Sequence, residues 1–91
     1  MHAVLVSVSV DADVMESAQA TLREQVVPTV AREPGFVAGY WLEPEHDGKG
    51  ISIVVFESEE QARQAAPSVG PAPVPGVTID SVDFRAVMAN A

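Results

Sequence analysis

The stretch GFVAGYWLE, residues 35–43, places a glycine inside an apolar run and follows it directly with a tyrosine and the only tryptophan of the chain. Its side chains alternate in the way that is typical of a β-strand over residues 36–43. Asp47-Gly48 then predicts a two-residue hairpin turn. The run ISIVVFE (51–57) reads as the next strand, so a hairpin is expected at the centre of the chain.

The segments before this hairpin predict one strand and one long helix. AVLVSVSV (3–10) alternates strictly, which indicates a strand. Asp13 and Glu16 have the spacing of a capping box, which predicts a helix start. Pro28 predicts a kink or a fresh helix start near it, because it cannot donate a hydrogen bond to the preceding turn. One helical face carries an apolar stripe made of Val14, Met15, Ala18, Leu22, Val26 and Val30.

The segments after the hairpin predict a second helix and a last strand. Ser58 and Gln61 form a second capping box, which opens a short helix through about Ala66. Residues 67–76 contain four prolines and two glycines, which predicts an irregular connection, either a plain loop or a lid. Residues 77–88 alternate as a strand. The order βαββαβ predicts a single ferredoxin-like α+β domain over residues 1–91, with a four-stranded antiparallel sheet.

The predicted turn also sets a register for the hairpin. Gly39 is expected opposite Phe56, so that its missing side chain leaves room for the rings of Phe56 and Trp41. Alternation then gives two faces. One comprises Phe36, Ala38, Tyr40, Leu42, Ile53 and Val55; the other comprises Val37, Gly39, Trp41, Glu43, Ser52, Val54 and Phe56. Two helices can cover only one of these faces. A homodimer through the sheet is therefore expected.

Composition excludes several classes of function. The net charge is −8, from 13 acidic and five basic residues, so the chain lacks the basic patch that nucleic acid requires. There is no cysteine, which excludes disulfides and thiolate metal sites. No apolar run approaches the roughly 20 residues that span a bilayer, and no signal peptide is recognised at the N-terminus. A cytoplasmic protein without a membrane or nucleic-acid partner is expected.

Two motifs carry a resemblance to a known family. The long helix ends in PGF (34–36), and the third strand runs into the short helix as FESEEQA (56–62). With the order of elements, these motifs resemble the dimeric α+β barrel superfamily, in its branch of antibiotic-biosynthesis monooxygenase-like (ABM-like) proteins. The resemblance implies two sheets facing each other across a dimer and ligand cavities between sheet and helices. It also implies that some members oxidise quinol-like aromatics without a cofactor, while others cleave haem.

The chain departs from the haem-cleaving members of that superfamily. Those members pair an asparagine on the first strand with a tryptophan at the end of the third strand and a histidine on the following helix. The corresponding positions here are Ser7 or Ser9, then Phe56, then residues 64–66, which are Gln-Ala-Ala. None of the three is kept, which argues against haem cleavage.

Five side chains are the candidates for binding a ligand. Tyr40, Trp41 and Phe56 offer aromatic surface for stacking. His2 and Arg85, the latter beside Asp83 on one side of the last strand, offer polar groups at the rim of a cavity. The two histidines, His2 and His46, lie on different elements without a ligand spacing, so no metal site is predicted.

Two functions remain open for this chain. It binds a small apolar or aromatic ligand without turnover; alternatively, it is a cofactor-independent monooxygenase that oxidises a quinol-like or polyketide aromatic. In the second case the deprotonated substrate itself would activate oxygen, with Tyr40, His2 or Arg85 assisting. No catalytic triad, phosphate-binding loop or nucleotide fingerprint is present. No cofactor is expected in either case.

Overall fold

Five antiparallel strands form one sheet in the computed structural model, which describes all residues 1–91. The strands are β1 His2–Val10, β2 Phe36–Trp41, β3 Lys49–Phe56, β4 Gly70–Pro71 and β5 Val77–Ala86, in the spatial order β2-β3-β1-β5-β4. This arrangement confirms the ferredoxin-like α+β class. The difference is the fifth strand: two residues of the segment expected to be irregular pair with β5, Gly70 opposite Ile79 and Pro71 opposite Thr78.

Residues 12–31 form an almost unbroken helical path, called here the first helical segment. It consists of a 3-10 turn Ala12–Val14, α1 Met15–Thr21, a π-helical stretch Leu22–Val26 and α2 Val27–Ala31. The Val27 N–H donates to the Leu22 carbonyl five residues back. This wide turn ends just before Pro28, which has no N–H to donate to Glu24. The backbone therefore accommodates the proline by a change of helical register.

The predicted capping box at the start of this segment is wrong. The residues at the two N-cap positions, Asp11 before the 3-10 turn and Val14 before α1, make no side-chain capping hydrogen bond. The helical path opens through the 3-10 turn. The Asp11 N–H instead donates to the Gly76 carbonyl, at 2.9 Å, which ties the helix start to the beginning of β5. The segment therefore starts without the side-chain cap that the spacing of Asp13 and Glu16 suggested. No helix in the structure has the length and apolar character needed to cross a bilayer.

The second capping box is confirmed at α3, Glu59–Ala65. The Ser58 hydroxyl accepts a hydrogen bond from the Gln61 N–H at 3.2 Å. Gln61 also explains the glycine of the PGF motif. Gly35 has φ +82°, and a Cβ on it would overlap the Gln61 amide, while its carbonyl accepts from the Glu57 N–H at 2.9 Å. The motif is thus the point where the chain leaving α2 meets the start of α3.

The register predicted for the β2–β3 hairpin is wrong by two residues. Gly39 lies opposite Val54 and Trp41 opposite Ser52. Only Gly48 in the turn has a positive φ, of 79°, and its N–H donates to the Glu45 carbonyl at 2.9 Å. The turn is therefore a longer loop with one left-handed glycine rather than a two-residue turn with two left-handed positions. Because the shift is even, it leaves most side chains on the faces predicted for them.

A β-bulge moves one aromatic residue to the other face. The register shifts between Phe36 and Ala38, so that Phe36 pairs with Phe56. The two rings meet edge to face with centroids 6.3 Å apart. The prediction that Phe36 shares a face with Ala38 and Tyr40 is therefore wrong, because the extra residue of the bulge, Val37, takes the exposed position.

Helices cover the sheet face that carries Trp41 and Phe56. The core cluster comprises Val4, Val6, Val54, Phe56, Ala62 and Ile79. Only nine of the 91 residues are buried, although 47% of the chain is hydrophobic. Much apolar surface therefore lies either around an internal space or on the uncovered face of the sheet, which is called the outer face below.

Trp41 occupies the space beside Gly39. A Cβ added at Gly39 would lie 2.7 Å from Trp41 Cη2 and 2.8 Å from Trp41 Cζ3, with Phe36 next at 3.4 Å. The ring that fills the space left by the glycine is thus that of Trp41, two residues further along the same strand. The prediction that Phe56 uses that space is wrong, because the observed register places Phe56 opposite Phe36.

We expect Gly39→Ala to destabilise the protein through the indole of Trp41. Overpacking costs about 1–3 kcal/mol, whereas replacing a strand glycine recovers about 0.5–1 kcal/mol. The net loss should be about 1 kcal/mol, or a Tm lowered by roughly 4–8 °C in a domain of this size. Thermal melts would measure it. In a Trp41→Leu background the same substitution should be neutral or stabilising; a Gly39→Ala protein that melts above wild type contradicts the contact.

Candidate functional site

A cavity of about 280 Å³ lies between the first helical segment and the sheet. Its floor is the inner face of β1, β3 and β5, including Val6, Val54 and Ile79. Its roof is the apolar stripe predicted for the helix, of which every member except Val14 lines the space. The stripe is therefore confirmed, but it faces a cavity rather than a closed core.

Small and rigid residues wall the remaining side of the cavity. Ala65, Ala66 and Pro67 follow α3, and Ala72 to Val74 come from the proline-rich segment. That segment is fastened by backbone hydrogen bonds from the Ala72 N–H to the Val77 carbonyl, at 3.0 Å, and from the Val77 N–H to the Val74 carbonyl, at 3.1 Å. Short side chains at this wall leave the space open. That this segment opens and closes as a lid stays a prediction, because these hydrogen bonds show it in one position.

The lining of the cavity is almost wholly apolar. Of its 26 residues, 20 are hydrophobic, and the other six are three prolines, Gly50, Gln19 and Ser52. Gln19 and Ser52 thus supply the amide and the hydroxyl of the lining, and the indole N–H of Trp41 adds one hydrogen-bond donor; none of the three ionises near neutral pH. Ser52 lies on β3 between Val6 of β1 and Trp41 of β2, and Gln19 lies on α1. The cavity offers apolar surface with a hydrogen-bonding group on each of two opposite walls.

The charged side chains pair elsewhere in the structure. Lys49 Nζ lies 3.7 Å from Asp80 Oδ2, and the Ser9 hydroxyl bridges the two on the outer face. On α3, Glu59 contacts Arg63 Nε at 2.9 Å and His2 Nε2 at 3.8 Å. No group of three or more His, Asp or Glu side chains is placed to hold a metal ion.

The structure brings two of the five sequence candidates to the cavity. Trp41 and Phe56 both line it. Tyr40 lies on the outer face with 63% of its surface exposed. His2 points to Glu59, and Arg85 is exposed, donating to the neighbouring Phe84 carbonyl at 3.1 Å without an ion pair to Asp83. A ligand in this cavity would therefore meet the tryptophan and the phenylalanine, not the other three.

Gln19 and Ser52 were not predicted as site residues from the sequence, although each interrupts a row of apolar residues. Gln19 stands four residues after Met15 and three before Leu22, and so interrupts an apolar column of the helix. Ser52 interrupts the inner-face row that continues with Val54 and Phe56. A polar residue in such a row is noticeable only once the row is known to face the helices.

Comparisons with known proteins agree with this architecture. The family model described as "Antibiotic biosynthesis monooxygenase" matches residues 1–68. Among solved structures, SnoaB, a cofactor-independent oxygenase from Streptomyces nogalater, superposes with a TM-score of 0.65 at 19% sequence identity, over 98% of this chain and 94% of that chain. At this identity the likeness establishes the fold. No curated protein matches the chain.

We expect Ser52→Val to stabilise the protein, because the serine hydroxyl has no partner within the chain. Valine has nearly the shape of threonine, so Ser52→Thr is the matched control that keeps the hydroxyl and adds the same branch. Exchanging the half-buried hydroxyl of threonine for the methyl group of valine adds apolar contact worth up to about 0.8 kcal/mol. Urea or thermal unfolding should therefore rank valine above threonine. Equal stability of the two variants would mean that the Ser52 hydroxyl is already satisfied.

Proposed function

The chain belongs to the antibiotic biosynthesis monooxygenase family of the dimeric α+β barrel superfamily, and we propose that it binds a small apolar or aromatic molecule in the cavity over the sheet. The observation that carries this proposal is the lining, which is apolar on every wall and includes Trp41 and Phe56. Apolar walls with a few polar groups are typical of small-molecule sites. Flat aromatic side chains at such a site favour a planar ligand.

The volume of the cavity limits the size of the ligand that it can hold. Sites for drug-sized molecules span about 300–1,000 Å³, and this one, at about 280 Å³, lies just below that range. It therefore suits a molecule of one or two aromatic rings better than a polyketide of three or four. The small residues at the wall, Ala65 and Ala66, leave room at the end of the space that Phe56 does not fill.

Binding without turnover fits the lining better than catalysis does. An acid–base step needs a group with a suitable pKa within hydrogen-bond reach of the reacting atom. The cavity contains an amide and a hydroxyl, and the ionisable side chains lie outside it. A proton leaving a bound phenol would have to pass to water. We therefore place binding first and oxidation second.

The second candidate is a cofactor-independent oxygenase acting on a quinol-like aromatic. Its support is the matching family model and the likeness to SnoaB, which is itself described as a cofactor-independent oxygenase. In such a reaction the electron-rich substrate reduces oxygen, so the protein has mainly to hold the substrate and shield it from water. An apolar cavity is compatible with that task.

The sole tryptophan makes the ligand test direct. One- and two-ring probes such as hydroquinone and 1,4-dihydroxynaphthalene should change the fluorescence of Trp41 and raise the Tm, because ligand at a hundredfold excess over Kd adds about 2.7 kcal/mol to the free energy of unfolding. Ala18→Leu, which fills the cavity from the roof, should weaken binding. Ala20→Leu, on the exposed side of the same helix, should leave it unchanged.

An oxygen electrode run on the same samples separates the two candidates. Oxygen uptake above the rate in buffer, lost in Ala18→Leu and kept in Ala20→Leu, would favour the oxygenase. Binding without uptake favours the ligand-binding protein. If no probe changes either the fluorescence or the Tm, the proposed function is contradicted.

We further propose that two copies pair through the outer face. The centre of that face is apolar, with Leu5, Ile51, Ile53, Val55 and Tyr40 on β1, β3 and β2. Tyr40 and Ile51 are 63% and 38% exposed. Polar residues border this patch, with Asp83 and Arg85 along β5 and the Lys49–Asp80 pair at one end. An apolar centre with a polar border is the usual anatomy of a protein interface.

We expect wild-type protein to have the mass of a dimer by multi-angle light scattering, and Ile53→Lys to have the mass of a monomer. A buried, unpaired lysine at the centre of the interface should cost several kcal/mol per copy. Gln25→Lys, exposed on the first helical segment, carries the same charge change and should remain dimeric. A folded wild-type monomer would contradict the interface.

A further inference from the structure

Gln19 and Ser52 are polar side chains without partners in an apolar cavity. Neither takes part in any side-chain hydrogen bond of the chain. Both are half-buried, and no side-chain nitrogen or oxygen in the chain is at once fully buried and unpaired, so their polar ends remain accessible. A polar group facing apolar walls is unfavourable unless something hydrogen-bonds to it. Valine or leucine at either position would have continued the apolar row.

The two side chains approach the cavity from opposite walls. Gln19 belongs to α1 in the roof, one residue after the buried Ala18. Ser52 belongs to β3 in the floor, beside Trp41 on the neighbouring strand. The amide both donates and accepts hydrogen bonds, and so does the hydroxyl. A molecule lying on the indole of Trp41 could thus be held at its edge by groups from two elements.

We propose that Gln19 and Ser52 orient the ligand and restrict it to neutral aromatic molecules of one or two rings that carry a hydroxyl or carbonyl group. This assignment rests on the proposed function and names the ligand class for the same cavity. The pair selects for a polar substituent, because a ligand without one leaves both side chains unpaired.

The cavity should also reject ions. No cationic side chain lines it to neutralise a carboxylate or sulfonate, and no acidic one lines it to pair with an amine. Moving an unpaired charge into apolar surroundings is strongly unfavourable. The net charge of −8 adds long-range repulsion of anions. Neutral phenols, quinones and ketones remain as the class that the walls can accept.

Three two-ring probes of similar shape test this class by titration of Trp41 fluorescence near neutral pH. 1-Naphthol carries a hydroxyl, 1-methylnaphthalene replaces it by a methyl group, and 1-naphthoate carries a charge. Wild-type protein should bind 1-naphthol roughly two- to tenfold more tightly than 1-methylnaphthalene, as expected for one or two neutral hydrogen bonds. It should bind 1-naphthoate more weakly than either neutral probe.

Variants of the pair identify the groups responsible. In Gln19→Leu and in Ser52→Ala the preference for 1-naphthol should shrink, and in the double variant the two neutral probes should bind with equal affinity. Gln25→Leu, on the exposed side of the same helical segment, should keep the wild-type preference. A merely structural role would lower the affinity for both probes together and leave their ratio intact.

The outcomes distinguish this assignment from the proposed function. If both neutral probes bind wild type equally, or if the double variant keeps the preference, ligand binding stands and the roles of Gln19 and Ser52 are overturned. Tight binding of 1-naphthoate overturns the restriction to neutral ligands. If none of the three probes binds, the proposed function fails and the assignment fails with it.

Discussion

The structure depends on one imbalance: its sheet is apolar on both faces, and its helices cover one of them. In β1 and β3 aliphatic residues occupy positions of both faces around Leu5 and Ile53, although Ser7, Ser9 and Lys49 make the outer face polar toward one end. On the inner face, the first helical segment spans the sheet without closing onto it, and a cavity remains. On the outer face, Tyr40 and Ile51 remain exposed, and Ile53 beside them is only half-buried. Ligand binding and dimerisation are thus two consequences of the same excess of apolar surface.

Within this arrangement Gly39 determines where the tryptophan ring lies. The indole of Trp41 folds back along its own strand over the glycine. A side chain at residue 39 would push the ring away from β2 toward the space it lines. The glycine therefore sets both the packing of β2 and the shape of the cavity wall. Phe36, moved to the inner face by the bulge, also lies close to the vacant side-chain position of Gly39, and its ring meets that of Phe56.

The sequence predicts the elements and their order well because these depend on local patterns. The alternation in β1, the stripe of the first helical segment and the Ser58–Gln61 cap each need only a few neighbouring residues. Features that depend on the rest of the fold were not predictable in the same way. The start of the first helical segment is bonded through the Asp11 N–H to the carbonyl of Gly76, 65 residues further along the chain, and a bulge at Val37 reverses the side of Phe36.

The residues of the candidate site could likewise be predicted only where local patterns determine their position. Trp41 and Phe56 were identifiable because aromatic residues beside a glycine attract attention, and an even error in register left them on the correct face. Tyr40 and Arg85 were equally reasonable as residues, but alternation cannot say which face meets the helices, while His2 lies at the end of β1 and meets Glu59 of α3 instead. Gln19 and Ser52 gain their meaning only from the other 24 residues around the cavity. A polar group becomes significant through the apolar surroundings that the fold gives it.

The cavity also links the stability of the protein to its occupants. The apolar side chains around this space lack packing partners on the side that faces it, and lost packing lowers the stability of a fold. Small domains have a total stability of about 5–15 kcal/mol, and a chain with nine buried residues has little reserve. A ligand that fills the space, or a second copy that covers Ile53, therefore stabilises the native state directly, because each binds the folded chain and not the unfolded one. Residues such as Ser52, which keep the cavity open and polar at one point, lower the stability of the empty protein and raise its selectivity for what it binds.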